Sequence, residues 1–127
     1  MFNSISNNFG AGVISFKDVQ ESNFIVLNAK FTCNPQNAAY QAAETLEITV
    51  PTLSIDRSAV AGVVVRFQDR QVLYGRTYNY DGGTVAKSWV KDANTLCIEK
   101  LACFDGQTEL IIYIQSLYCQ LAQGGNA

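Results

Sequence analysis

The chain predicts a mainly β fold, an antiparallel β-sandwich of jelly-roll-like or Greek-key type, with about eight strands and one short helix. Three observations point there. Short runs rich in Val, Ile, Thr, Tyr and Phe recur along the 127 residues, turn signals separate them at regular intervals, and a single stretch carries helix chemistry. The turn signals are mostly of hairpin type, so consecutive runs read as antiparallel neighbours rather than βαβ units.

Residues 1–12 are rich in Asn, Ser and Gly with isolated Phe2, Ile5 and Phe9, and read as an extended arm that docks through single apolar anchors, either mobile or ordered against a neighbour. Residues 13–121 read as one sandwich domain and 122–127 as a flexible tail. The first strands fall at 13–16 and 24–31, the second apolar on both parities at its start. Residues 34–44 are the helix candidate, with Asn34 as N-cap, Pro35 at the first helical position and four alanines following. In 45–50, Leu46, Ile48 and Val50 alternate with Thr45, Glu47 and Thr49, which gives a half-buried strand that Pro51 ends. Strands at 61–67 and 72–78 form a hairpin across the polar residues 68–71. Strands at 84–91 and 95–101 follow the Asp81-Gly82-Gly83 and Asp92-Ala93-Asn94 turns, and a last strand at 109–119 follows Asp105-Gly106.

Composition then narrows the function. The chain contains no histidine, which removes the commonest general base, proton shuttle and metal ligand near neutral pH. The expectation is a protein that is not an enzyme and uses no cofactor. A net charge of −2 argues against nucleic acid as a partner, since phosphate binders cluster Lys and Arg. No apolar stretch approaches the length of a spanning helix, so no membrane partner is expected. The N-terminus lacks the basic start and apolar core of a secretory signal, which leads to the expectation of a chain made in the cytoplasm.

Four cysteines, Cys33, Cys97, Cys103 and Cys119, occur with no C-x-x-C pair. They read as small buried hydrophobes, and the missing knuckle spacing disfavours a zinc site. Other motif matches dissolve on inspection. Gly10-Ala11-Gly12 precedes a strand where a dinucleotide loop would open a helix. Ser88 and Lys91 match S-x-x-K, but in a strand such positions point to opposite faces. Two Asp-Arg dipeptides, at 56–57 and 69–70, read as solvated turns, and no spacing marks a glycosidase-type carboxylate pair.

The strongest binding candidate is the hairpin around Asp81-Gly82-Gly83. In an even-loop register Tyr74, Arg76, Tyr78 and Tyr80 face Lys91, Trp89, Lys87 and Val85, giving one face of aromatic planes and cations suited to a protein partner or to stacking on sugar rings. A three-residue loop would shift the register by one and dissolve the cluster. The binding residues expected from it are Tyr74, Arg76, Tyr78, Tyr80, Lys87 and Trp89. A second signal is excess burial demand: residues 110–114 are apolar on both faces, to be covered by another subunit or by the short helix.

Across residues 84–119, Trp89 in its strand, the Asp92-Ala93-Asn94 turn and the strand at 95–101 are similar to tip-domain hairpins of tailed-phage and prophage particles. The chain resembles the small structural proteins of those particles, which include tail, fibre-tip and decoration components. The resemblance implies a non-catalytic, self-assembling homo-oligomer that meets other structural subunits, and it carries over no functional residue. The alternative is a module that binds carbohydrate or protein through the aromatic and cationic face.

Overall fold

The computed structural model describes residues 5–56, 61–75 and 86–121, the side chains of residues 21 and 121 excepted. Its elements in chain order are β1 (Ser6–Asn7), β2 (Gly12–Glu21), β3 (Phe24–Cys33), α1 (Ala38–Ala42), β4 (Leu46–Thr49), β5 (Leu53–Ile55), β6 (Gly62–Phe67), β7 (Arg70–Leu73), β8 (Ser88–Asp92), β9 (Thr95–Ile98) and β10 (Leu110–Leu121). They form two antiparallel sheets, ordered β1-β4-β9-β8 and β2-β3-β10-β6-β7, with β5 pairing the far end of β10. The fold is the antiparallel β-sandwich that the alternation predicts. Beyond the eight expected strands, the short β1 and β5 are new.

The core lies between the sheets. From the six-stranded side come Leu27, Ala29, Phe31, Val63, Val65, Phe67, Leu110, Ile112 and Ile114; from the other come Leu46, Ile48, Leu96 and Ile98, all buried. Burying each such aliphatic or aromatic side chain contributes about 1.5–3 kcal/mol. β10 is the central strand, and it changes parity: Leu110, Ile112 and Ile114 face inward, then Leu117 and Cys119 do. A register shift between Ile114 and Leu117 makes the switch. Ser116 adopts a positive φ of 56° there, and its N–H donates to Asn28 Oδ1 at 3.1 Å. The bulge returns the second half of the strand to the core side.

The helix is shorter than expected and capped elsewhere. Asn34 spends its side chain on a turn, accepting from Gln36 N at 2.9 Å, while Asn37 caps α1 by accepting from Tyr40 N at 2.7 Å. Pro35 therefore sits in the preceding turn rather than at the first helical position. Lys100 fixes the helix from below, donating to Tyr40 O and Ala43 O at 2.8 and 2.7 Å. Its Nζ also stands 4.4 Å from the centre of the buried Tyr40 ring. Gln36 adds bonds to Asp105 O and Gln107 O. These contacts pin α1 to one end of the sandwich, so it does not roof the outer face of β10.

The described part of the N-terminal arm also departs from expectation, for it docks on its own sandwich. Ser6 and Asn7 pair with Thr49 and Ile48 of β4, and Phe9 is 0% exposed within the core. Gly10 turns the chain from arm to β2 with φ +73°, and a Cβ there would lie 2.8 Å from both Asn37 Nδ2 and Oδ1. Gly10→Ala therefore combines a left-handed backbone with a collision against the helix cap. We expect it to lower stability by about 1–3 kcal/mol, read as a reduced urea midpoint at unchanged slope.

Asp105-Gly106 joins no hairpin. It follows a 3-10 turn at Ala102–Phe104 and carries the chain from β9 in one sheet to β10 in the other.

Candidate functional site

The anticipated aromatic hairpin is only partly visible, because Arg76, Tyr78 and Tyr80 lie outside the described residues. What is described corrects the register. β7 pairs with β6 and β8 with β9, in different sheets, and among the described residues the backbone link between the two expected strands is one bond from Gly75 N to Ala86 O at 3.1 Å. Tyr74 is not on a binding face. It is 1% exposed, and its hydroxyl donates to Glu99 O at 2.8 Å, satisfying the one polar atom that its burial would otherwise strand. Burial pushes its phenol well above the ordinary value, with smaller contributions from Cys103, Tyr40 and Glu99.

Lys87 and Trp89 do remain at the surface. Ser88 and Val90 oppose the inward Ile98 and Leu96, whereas Trp89 opposes Cys97 on the outer face of the four-stranded sheet. The indole is 42% exposed. Beside it Lys91 Nζ meets Glu47 Oε2 at 3.1 Å, a solvent-exposed pair of small energetic weight. Cys97 also faces Glu47 yet is 1% exposed, so Trp89 and this ion pair cover it. The face is a flat aromatic plate flanked by cations, smaller than the sequence suggested.

A second surface went unread in the sequence. β2 is ten residues long, and among the described residues it is paired on one side only, to β3. Val13, Ile14 and Val19 on it are 46%, 49% and 37% exposed, three of the five exposed large hydrophobic side chains described. The others are Trp89 and Tyr118. Val19 stands opposite Val26, and Val26 opposite Tyr118, whose ring meets Phe24 edge-on at 5.7 Å. An apolar row thus runs from the β2 edge into the outer face of the six-stranded sheet. Further along, Lys30 Nζ lies 5.4 Å from the Tyr113 ring centre, and Arg66, Gln68, Glu109, Ile111 and Tyr113 line a shallow depression. The signal that could have revealed β2 is Ser22-Asn23, a two-residue turn with Ser22 at φ 54° that fixes a long hairpin.

Among the described residues no group of three or more His, Cys, Asp or Glu side chains is placed to hold a metal ion. No helix among them is long and apolar enough to cross a membrane. All four cysteines are free thiols, Cys33, Cys97 and Cys119 buried and Cys103 partly exposed. Burial raises the Cys33 thiol to about 11, against an opposing hydrogen bond from Asn37, and raises Cys119 to about 12. Thiolate is the reactive form. At pH 8 we therefore expect a chromogenic disulfide reagent to titrate Cys103 rapidly in the native protein and all four thiols in denaturant; rapid native reaction of more than one would contradict this packing.

No family model, no curated protein and no solved structure matches this chain.

Proposed function

We propose that this chain is a non-catalytic structural β-domain that self-associates as a subunit of a larger assembly, of the kind found in phage particles. The observation that carries the reading is the β2 edge: a long strand, bonded on one side among the described residues, that exposes Val13, Ile14 and Val19. A free edge presents a row of backbone donors and acceptors to any strand that can align with it. Monomeric proteins rarely leave such an edge both long and apolar, because contiguous apolar surface favours contact. β2 also carries Lys17, Asp18 and a register shift at Ile14, features that prevent indiscriminate pairing. The combination suits a contact that is specific and self-limiting. Light scattering across the micromolar range tests it. The expected mass rises above the 13.9 kDa of one chain as concentration increases, and a mass fixed at that value throughout rejects the reading.

The exposed Trp89 favours a second reading, a carbohydrate- or protein-binding face to which the exposed Lys87, two positions earlier in the chain, adds a cation. A glycan array with Trp89→Ala as control decides it: retained glycans lost on substitution support this function, and no retained glycan removes it.

A further inference from the structure

We infer that the outer face of the six-stranded sheet binds an acidic glycan, a chain of uronate sugars, through Lys17, Lys30, Arg66, Glu109 and Tyr113. The site lies on the face of the sheet and uses none of the backbone of the β2 edge, so it stands independently of self-association. Strand register puts its parts in order. Lys30, Tyr113 and Val64 form one row across β3, β10 and β6; Ile111 and Arg66 lie in the next row on one side, and Lys17 and Asn28 in the next on the other. Lys17, Lys30, Tyr113 and Arg66 therefore follow one diagonal over the neighbouring strands β2, β3, β10 and β6, about 20 Å long from direct and diagonal cross-strand spacings. Among the side chains described, no acid shares the outer parity of these strands. Glu109 stands at the Arg66 end, one residue before β10.

The polar groups there are uncommitted. Among the described residues, the side chains of Lys17, Arg66, Gln68 and Glu109 make no hydrogen bond or ion pair, although Arg66, Gln68 and Glu109 line one depression with Ile111 and Tyr113. Lys30 holds its Nζ 5.4 Å from the Tyr113 ring centre, which keeps that cation beside the depression. Arg66 and Lys30 offer charged donors to a carboxylate. An ionised Glu109 can only accept, so it opposes a phosphate or sulfate and suits the O–H groups of a sugar. A ligand that carries both anionic charge and hydroxyl donors meets all of these groups, and Ile111 and Tyr113 give apolar surface for the C–H side of its ring. A pyranose ring is about as long as the gap between strands, roughly 4.8 Å, so a chain of about four rings spans the diagonal. Single-stranded nucleic acid matches less well, because it stacks successive bases on several aromatic platforms where the diagonal carries Tyr113. A peptide laid across the face would find the sheet's backbone groups already paired in the ladder and leave its own without partners.

Calorimetric titration of the full chain with a mannuronate hexamer, the matching neutral mannose hexamer and a deoxythymidylate hexamer tests this. The uronate hexamer is expected to bind with a Kd of about 0.1–1 mM, and the other two at least about tenfold more weakly. Lys30→Ala and Arg66→Ala each weaken it by about tenfold, while Gln120→Ala, at the far end of β10, leaves it unchanged. Urea midpoints confirm that the variants are folded. Glu109→Ala makes the sharpest distinction, because it removes a negative charge. Recognition of hydroxyl groups makes binding about fivefold weaker in that variant, whereas tighter binding would mean bare charge attraction and overturn the site. Equal affinity for the neutral hexamer, tighter binding of the deoxythymidylate hexamer, or no heat with any of the three at millimolar concentration would also overturn it.

Discussion

Raising the pH from 8 to 11 is expected to remove roughly 5 kcal/mol of folding stability through two thiols alone. Cys33 and Cys119 have folded values of about 11 and about 12 against an ordinary 9.0, in both cases because burial opposes the thiolate. The sign follows directly. Below pH 9 both states keep these protons and the full stability is present; above it the unfolded chain releases them first, so stability falls as pH climbs toward the folded values. Each pH unit costs about 1.4 kcal/mol per thiol until the folded value is reached. Tyr40 and Tyr74 act in the same direction from pH 10 upward, since burial holds both phenols above that ordinary value, with Asp105 adding for Tyr40 and Cys103 for Tyr74. A domain of this size is held by about 5–15 kcal/mol, so cooperative alkaline unfolding between pH 10 and 12 follows. Urea denaturation at stepped pH measures it, and a midpoint that stays level to pH 10.5 would contradict the burial of these groups.

Phe9→Ala is expected to cost about 3–5 kcal/mol, the range for truncating a fully buried aromatic side chain. The arm is held by more than this ring, which is why its loss should be felt along a whole segment. Asn8 brackets β4, its Oδ1 accepting from Glu47 N at 2.8 Å and its Nδ2 donating to Thr45 O at 3.1 Å. Asn7 Oδ1 accepts from both Phe9 N and Ala11 N. Phe9 O in turn accepts from Asn37 Nδ2 and Cys33 Sγ, linking arm, helix cap and β3. Guanidinium or urea midpoints for Phe9→Ala beside Phe9→Leu measure the effect, with the leucine retaining most of the stability. A loss below 1 kcal/mol would mean that the arm is peripheral to the core.

Periodicity made most of the sandwich legible, and the exceptions have physical causes. Leu46, Ile48 and Val50 alternate cleanly because β4 has one wet face, and they lie where alternation predicts. β2 escaped notice beyond residue 16 because Lys17, Asp18, Gln20 and Glu21 are ordinary loop residues; an edge strand with solvent on both faces has no apolar period to display. β10 reads as apolar on both faces partly because a bulge at residues 115–116 moves the inward set from even to odd positions, which no fixed period can follow. Phe9 looked like an isolated anchor for a neighbour, yet it fills the core of its own chain. Two asparagines flank Pro35, and local chemistry alone favours the first as cap; Tyr40, buried and reached by Asn37, decides for the second. The aromatic hairpin failed at Tyr74 because pairing partners are chosen by sheet assembly: β7 and β8 follow one another in the expected strand list but leave for opposite sheets. Of the expected binding residues, Lys87 and Trp89 are at the surface and Tyr74 is in the core, while Arg76, Tyr78 and Tyr80 fall outside the described residues.

Amide hydrogen exchange at low and high protein concentration tests the central claim most directly. If β2 is the contact edge, the outward amides of residues 17–21 exchange several-fold more slowly in the concentrated sample, while exposed amides of β8 on the Trp89 sheet keep their rates. Equal exchange along β2 at every concentration, or slowing confined to the Trp89 face, would contradict the account.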